Sequence, residues 1–528
     1  MRKLWLVLVV LMVASTMVFA SGANQQQQQQ QGASSSLTRS NALTVMVFNR
    51  GSDGGRSLAQ DNAWTNWIKA KVKQDLGLDV TFVPVGRFTE DTELPALMAS
   101  QSAPDLCNTW QAAMLAEYKN LGGLLDLAPY IDTYLPDLKA LLGADTALGG
   151  DLVNRQKDPV NGMIPYIHGI RTNVAQRNVF IRQDWLTALN LPMPTTITQF
   201  YNTLVQFRDN VARLPGGVTA ARVVPLMTGD DVRWTLADFM NNYITPGMNA
   251  RDRWVYAIYE SNLMMPNYKA GVQEMNKWYN ERLIYQDFPL MKSNDDYNNM
   301  LKSGMVGAFS ANWDTPFRPD YNINTDLARN VPGAEFVPVD LNLINKDVMD
   351  KTGICIFIPK FSKNQEGALR YLNWLAKPEN YRFLLIGNIG INHDMVEGFP
   401  RAKPATGQWI MNSANNVDIV LPINGIHMGN DADNATVLGL SYPPTAPEKV
   451  SNAYLISVKD GRAPSVFQAN LLVTQYSQTL VDKRNALLAQ SIAAPTAQFS
   501  ATYDRLYQDW LASGAQAVYD ERNRAYPR

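Results

Sequence analysis

The chain has 528 residues, 46% of them apolar, and a formal net charge of -1. That length and apolar share support a large core divided into two lobes or domains, while the near-neutral charge offers no field for nucleic acid or an anionic membrane surface, so neither partner is expected. The two cysteines, Cys107 and Cys355, exclude a disulfide framework, and both lie in apolar strand-like runs that read as buried thiols.

At the N-terminus Arg2 and Lys3 precede an apolar run from Leu4 to Val13, and small residues then lead to Val18-Phe19-Ala20 before Ser21. This pattern predicts a secretory signal over residues 1–20 cleaved after Ala20, its apolar run being shorter than the roughly 20 residues of a bilayer span. A lipid anchor would need a cysteine at the cleavage point, so the expected product is soluble, unlipidated and periplasmic. Residues 21–36, with the glutamine run Gln25 to Gln31, are too polar to order themselves and read as a disordered leader.

The folded body opens with a strand, Leu43 to Phe48, and a polar loop, Asn49 to Gly55. Trp64, Ile68, Val72 and Leu76 fall four apart and predict a helix stopped by Gly77, and Leu78 to Val83 reads as the next strand. The β-α-β opening favours a parallel sheet with helices packed on it. Leu94 to Ala99 reads as helical and Asp105 to Asn108 as a short strand. Further on, Val179 to Arg182 is strand-like, Asp184-Trp185-Leu186 opens a helix ended by Pro192 and Pro194, and Thr196 with Gln199 predicts a capping box for a helix carrying Phe200, Leu204 and Phe207. A strand at Gly353 to Pro359 precedes a helix at Gln365 to Ala376. The C-terminus closes with a helix bearing Tyr503, Leu506 and Trp510, broken at Gly514. No internal sequence repeat is visible.

The stretch from Val179-Phe180-Ile181-Arg182 and Asp184-Trp185-Leu186 to Leu189-Asn190-Leu191-Pro192 and Pro194-Thr195-Thr196 resembles a signature of the family 1 extracellular solute-binding proteins, the maltose-binding-protein-like group and its larger LplA-like members. Asn190 stands where glycine is usual. Ala99 to Asp105, Leu124 to Tyr130, Gly304 to Gly307 and Gly387 to His393 agree with the group in order and spacing. The resemblance implies an α/β two-lobe periplasmic binding protein of type II, with a hinge and a ligand cleft between discontinuous lobes. Matching segments places residues 37–169 and 351–434 in the N-terminal lobe and 170–350 and 435–528 in the C-terminal lobe. It further implies a monomeric receptor that hands a carbohydrate, expected to be an oligosaccharide, to the transmembrane subunits of an ABC permease.

A sugar receptor needs flat aromatics for C–H faces and planar polar groups for hydroxyls. Open α/β sheets place ligands beyond the carboxyl ends of their strands. Trp110 follows the strand ending at Asn108 and also matches a sugar-stacking position of the resemblance. Asn312, Trp313 and Asp314 follow Val306 to Ser310, and Asp230 and Trp234 lie in a polar stretch after Val223 to Met227. Arg50 and Asp53 occupy the first strand-to-helix loop. These eight residues are the candidate ligand contacts. Trp64, Trp185, Trp374 and Trp510 sit on or beside apolar helical faces and are expected to pack, and His168 and His393 are expected to be structural. No cofactor or metal is expected: Asp431-Ala432-Asp433-Asn434 faintly echoes a calcium loop without its central glycine and terminal glutamate. A secreted glycoside hydrolase or polysaccharide lyase would use the same aromatics and carboxylates, but no Gly-x-Ser-x-Gly elbow, His-Glu-x-x-His helix or phosphate-binding loop is present. No catalytic residues are assigned.

Overall fold

The computed structural model describes residues 36–50, 58–87, 89–143, 151–158, 161–229, 231–258, 261–291, 293–318, 321–403, 418–463 and 471–527. The expected signal and all but the last residue of the expected leader lie outside them, as do Asp53 and Asp230. Residues 39–528 form one compact unit.

Eleven named strands are described: β1 (Ala42–Asn49), β2 (Asp79–Gly86), β3 (Cys107–Thr109), β4 (Ile167–Ile170), β5 (Arg177–Arg182), β6 (Val224–Met227), β7 (Val306–Asn312), β8 (Phe336–Val339), β9 (Thr352–Phe357), β10 (His393–Val396) and β11 (Phe399–Ala402). β10 and β11 make a separate antiparallel hairpin. The first sheet runs β2-β1-β3-β9-β4. β1 pairs parallel to β2, a parallel bridge from Val45 to Leu106 joins β1 to the start of β3, and β9 is antiparallel to both β3 and β4. The second sheet runs from a single bridged residue, Ile284, through β6, β7 and β5 to β8. Here β6 and β7 are parallel, and β5 is antiparallel to both β7 and β8. The two sheets therefore share one plan, although the sequence shows no repeat. In each, the strand between the third and the last runs against its neighbours and arrives from the other lobe: β5 directly follows β4, and β9 directly follows β8. This is an α/β two-lobe fold of type II.

The central strands are covered on both faces: all six residues of β5 are buried, Arg177, Asn178 and Arg182 among them. Packing helices follow from local signals. Asn62 caps the Ala63–Leu76 helix by accepting the N–H groups of Trp64 and Thr65, and Gly77 ends it at φ 72°. The Gln183–Leu189 helix ends on Asn190, whose φ of 55° is left-handed, so termination precedes the two prolines. Asparagine at the family's usual glycine is thus a residue that tolerates the same conformation. Thr196 caps the Ile197–Asp209 helix as expected, but Gln199 accepts from the N–H of Thr195, one residue earlier than a reciprocal box requires. The C-terminal helix is broken at Gly514, as expected. This glycine sits at φ 125° in a distorted turn after Phe499–Trp510, and the chain continues as Gln516–Ala525.

Trp64, Trp185, Trp374 and Trp510 are each at most 1% exposed, in keeping with packing roles. Trp510, Tyr503 and Leu487 from the C-terminal helices share a core with Trp185 and Phe207 beneath the second sheet. Cys107 and Cys355 are free buried thiols. His168 contacts the Gly353 carbonyl and the Gln156 amide, and burial pushes its pKa down to about 4, so it is neutral at pH 7. His393 contacts the Ile386 carbonyl at 3.0 Å.

The segment at residues 420–424 lies against the edge of the first sheet. The N–H of Ile170 donates to Pro422 O at 2.8 Å and that of Asn424 to Ile170 O at 3.1 Å. Gly169 permits this approach: a Cβ there would lie 2.1 Å from the Leu421 carbonyl oxygen. Gly169→Ala is expected to push the segment away and destabilise the protein by about 1–3 kcal/mol, read as a lower denaturant midpoint; an unchanged midpoint would mean that the contact anchors nothing.

Candidate functional site

The directions of the strands put one end of each sheet at the crossings. In the first sheet these are the carboxyl ends of β1, β3 and β4 and the start of β9; in the second, the carboxyl ends of β6, β7 and β8 and the start of β5. The chain passes between them at residues 171–176 and again at 340–351. The side chains at these ends form the candidate site.

On the first sheet, Arg50 grips Asp418 with two bonds, Nε to Oδ2 at 2.5 Å and Nη2 to Oδ1 at 3.0 Å. Its charge is therefore neutralised by a residue that nothing local in the sequence connects to it. Trp110 lies beneath two guanidinium groups, with Arg87 Cζ 5.7 Å and Arg171 Cζ 5.3 Å from its ring centroid. The turn carrying it is held by Glu90, which accepts from the Thr109 hydroxyl at 2.9 Å and from the Trp110 N–H at 3.2 Å and pairs with Arg87 at 2.9 Å. Burial raises the Glu90 pKa above the usual carboxylate value.

On the second sheet, Arg177 opens β5 opposite Asn312, the last residue of β7. Its guanidinium carbon lies 4.6 Å from the Trp234 ring centroid. Trp234 is not in an irregular loop: it lies in the short Val232–Thr235 helix, capped by Asp231. Trp313 is only 5% exposed, with Tyr442 and Tyr454 edge-on at centroid distances of 6.0 and 5.8 Å, so it forms wall rather than open platform. Asp314 accepts the Tyr442 hydroxyl at 2.7 Å. The structure thus gathers Trp234 and Asn312 around Arg177, and Trp313 and Asp314 around Tyr442. Beside Trp234, a cavity of about 40 Å³ is lined by Arg177, Arg233, Asn241, Asp347 and Arg484 among others, which is room for a few waters and too little for a sugar ring.

Sequence reasoning missed Arg87, Glu90, Arg171, Arg177, Asp418 and Tyr442. Arg171 and Arg177 flank a crossing whose position leaves no mark in composition, and the partnerships of Asp418 and Tyr442 span 368 and 128 residues. Among the described residues no group of three or more His, Cys, Asp or Glu is placed to hold a metal. Asp431 to Asn434 instead form the first turn of the Asp431–Gly439 helix, capped by Asn430. No helix among the described residues is long and apolar enough to cross a membrane.

The profile described as bacterial extracellular solute-binding protein matches residues 55–382. The chain belongs to this family. Among its members' relatives, lipoprotein LipO of Bacillus subtilis (strain 168) is 24% identical over 355 residues, covering 61% of this chain and 62% of LipO. An uncharacterized protein of the butB 5′ region of Niallia circulans is 31% identical over 133 residues, 24% of this chain and 48% of that protein. The chain therefore aligns with less than two thirds of the length of either curated relative. Among solved structures, alginate-binding protein AlgQ2 superposes with a TM-score of 0.62 at 17% identity, covering 92% of this chain and 98% of AlgQ2. An HMO-binding, ABC-transporter-associated solute-binding protein of Bifidobacterium longum infantis gives 0.62 at 15% identity with the same coverage. The sugar-binding protein MalE of Xanthomonas citri gives 0.52 at 13% identity, again over 92% of this chain and 98% of MalE. At such identities the likeness is one of fold, and these family and structural neighbours are binding proteins.

Proposed function

We propose that this solute-binding protein is an exported, unlipidated periplasmic receptor that takes a carbohydrate between its lobes and presents it to an ABC permease without altering it. Trp110 from one sheet end and Trp234 with Asn312 from the other are the ligand-facing groups, Arg50 contributes with Asp418, and Trp313 and Asp314 support them from behind. The lobes divide at residues 171–176 and 340–351 and a third time between the segment at 420–424, on the first sheet, and the Pro447–Val458 helix, on the second, and the protein acts as a monomer. The observation that carries this reading is the pair of sheets of one plan whose aromatic and guanidinium-bearing ends flank the same two crossings. The sugar ligands named for the neighbouring structures support a carbohydrate.

The test is a thermal-shift screen against mono- and oligosaccharides followed by chromatography of the recovered ligand. A ligand bound only by the folded state raises the melting midpoint, and the ligand is expected to be recovered intact. Trp110→Ala should weaken that binding about tenfold or more, a loss in keeping with removing one buried stacking contact. Turnover of the sugar would replace the receptor reading with an enzymatic one.

A further inference from the structure

We infer that the ligand bears a carboxylate, as a uronic acid oligosaccharide does, and that Arg171 is the residue that recognises it. This deepens the carbohydrate reading and rests on it. Five arginines at or near the sheet ends have carboxylate partners. Arg50 is paired with Asp418, Arg87 with Glu90, Arg155 with Asp350, Arg177 with Asp238 and Arg233 with Asp231. Arg171 is not among them: no carboxylate of the described residues makes an ion pair or hydrogen bond with its guanidinium, which is half-buried over Trp110.

The neighbouring charges do not fill this gap. Asp350 is close enough to act on Arg171, yet its Oδ2 receives Arg155 at 2.9 Å and its Oδ1 the N–H of Thr352 at 2.7 Å. Glu90 is committed to Arg87, Thr109 and Trp110, and Asp418 to Arg50. Removing a guanidinium from water is costly, and the face of one indole returns only part of that cost. The Arg171 backbone N–H is meanwhile tied to Lys351 O at 2.7 Å, so the residue is held where the first crossing begins and the second ends. A planar fork of donors whose backbone is held in place, and which no carboxylate of the described residues pairs, suits a bidentate carboxylate. Because that guanidinium lies over Trp110, the carboxylate would sit beside the indole.

The experiment is isothermal titration of the mature protein with trimers of galacturonate, glucuronate and mannuronate, each beside the same trimer with its carboxylates reduced to alcohols. At least one uronate trimer is expected to bind tenfold or more tighter than its reduced counterpart, with a preference that shrinks as salt is added. Arg171→Gln should bring the two to within about twofold of each other, and Arg171→Lys should retain only part of the preference. Melting of each variant without ligand checks its fold, and the preference of the unaltered protein tests the inference even if a variant fails to fold. Equal or tighter binding of reduced trimers would overturn the acidic ligand while leaving the carbohydrate reading standing. Binding of no saccharide of either kind would overturn both.

Discussion

Arg177→Met is expected to cost about 3–5 kcal/mol of stability at pH 7, because it leaves a buried carboxylate without its cation. Arg177 is 3% exposed and Asp238 2%; the arginine reaches Asp238 Oδ1 with Nε at 3.3 Å and Nη2 at 3.0 Å. Asp347 adds a looser contact at 3.5 Å. Burial works against the charge of Arg177, but the two aspartates outweigh it and hold its pKa above the usual value. Without that cation, the carboxyl of Asp347, which burial already holds above the usual value against the pull of Arg177, would keep its proton more strongly still in the folded state. A folded state that binds more protons loses stability as pH rises. The deficit of the variant should therefore shrink between pH 7 and pH 5. Adding Asp238→Asn should recover part of it at pH 7. Denaturant titration at the two pH values decides the matter: a deficit equal at both, and untouched by the second substitution, would show that the pair is not its source.

Asp105→Ala should cost a comparable amount, about 3–5 kcal/mol, through stranded backbone donors. One oxygen of this carboxylate accepts the N–H and the hydroxyl of Thr44 at 2.9 and 2.8 Å. The other accepts the Ser362 hydroxyl and the N–H groups of Lys363 and Asn364, at 2.8, 2.9 and 3.1 Å. One side chain thus ties β1 to β3 and both to the turn that launches the Gln365–Leu375 helix. Burial alone would raise its pKa, but these donors prevail and hold it below the usual carboxylate value. A depressed pKa contributes stability that is complete above the unfolded value, near 3.9, and is lost as pH falls through the folded one. Asp105→Asn should accordingly lower stability at pH 6 and flatten the acid limb of the unfolding profile. An acid limb identical to that of the unaltered protein would remove Asp105 as its cause.

Asp105 also shows where sequence reasoning stops. It closes one of the segments that carried the family resemblance, and nothing within that segment reveals partners 61 and about 258 residues away. Strands and helices were legible wherever the cause is local. The spacing of Trp64, Ile68 and Val72 marks a buried face, and Gly77 and Thr196 mark ends. The pairing plan was not legible, because β9 enters the first sheet by virtue of what β3 and β4 offer it rather than any feature of its own. The aromatic candidates were chosen from loop position, which separates surface from core only coarsely: Trp110 is half-buried with two guanidinium groups over its ring, whereas Trp313 is 5% exposed beside Tyr442. The guanidinium groups at the candidate site were overlooked because an arginine at a strand end is ordinary in sequence, and only the inventory of partners sets Arg171 apart.

The reciprocal placement of β5 and β9 bears on the order in which the molecule can be built. A growing chain that has emerged as far as β8 holds every strand of the second sheet, yet the first still lacks its fourth member. β3 and β4 cannot join across the gap until residues 352–357 arrive. Closure of the lobe made first therefore waits on a segment made almost two hundred residues after β4, and contacts of such long range are slow to form. The first sheet therefore lacks its fourth strand throughout that interval, and its completion is a late event whatever the fate of the second.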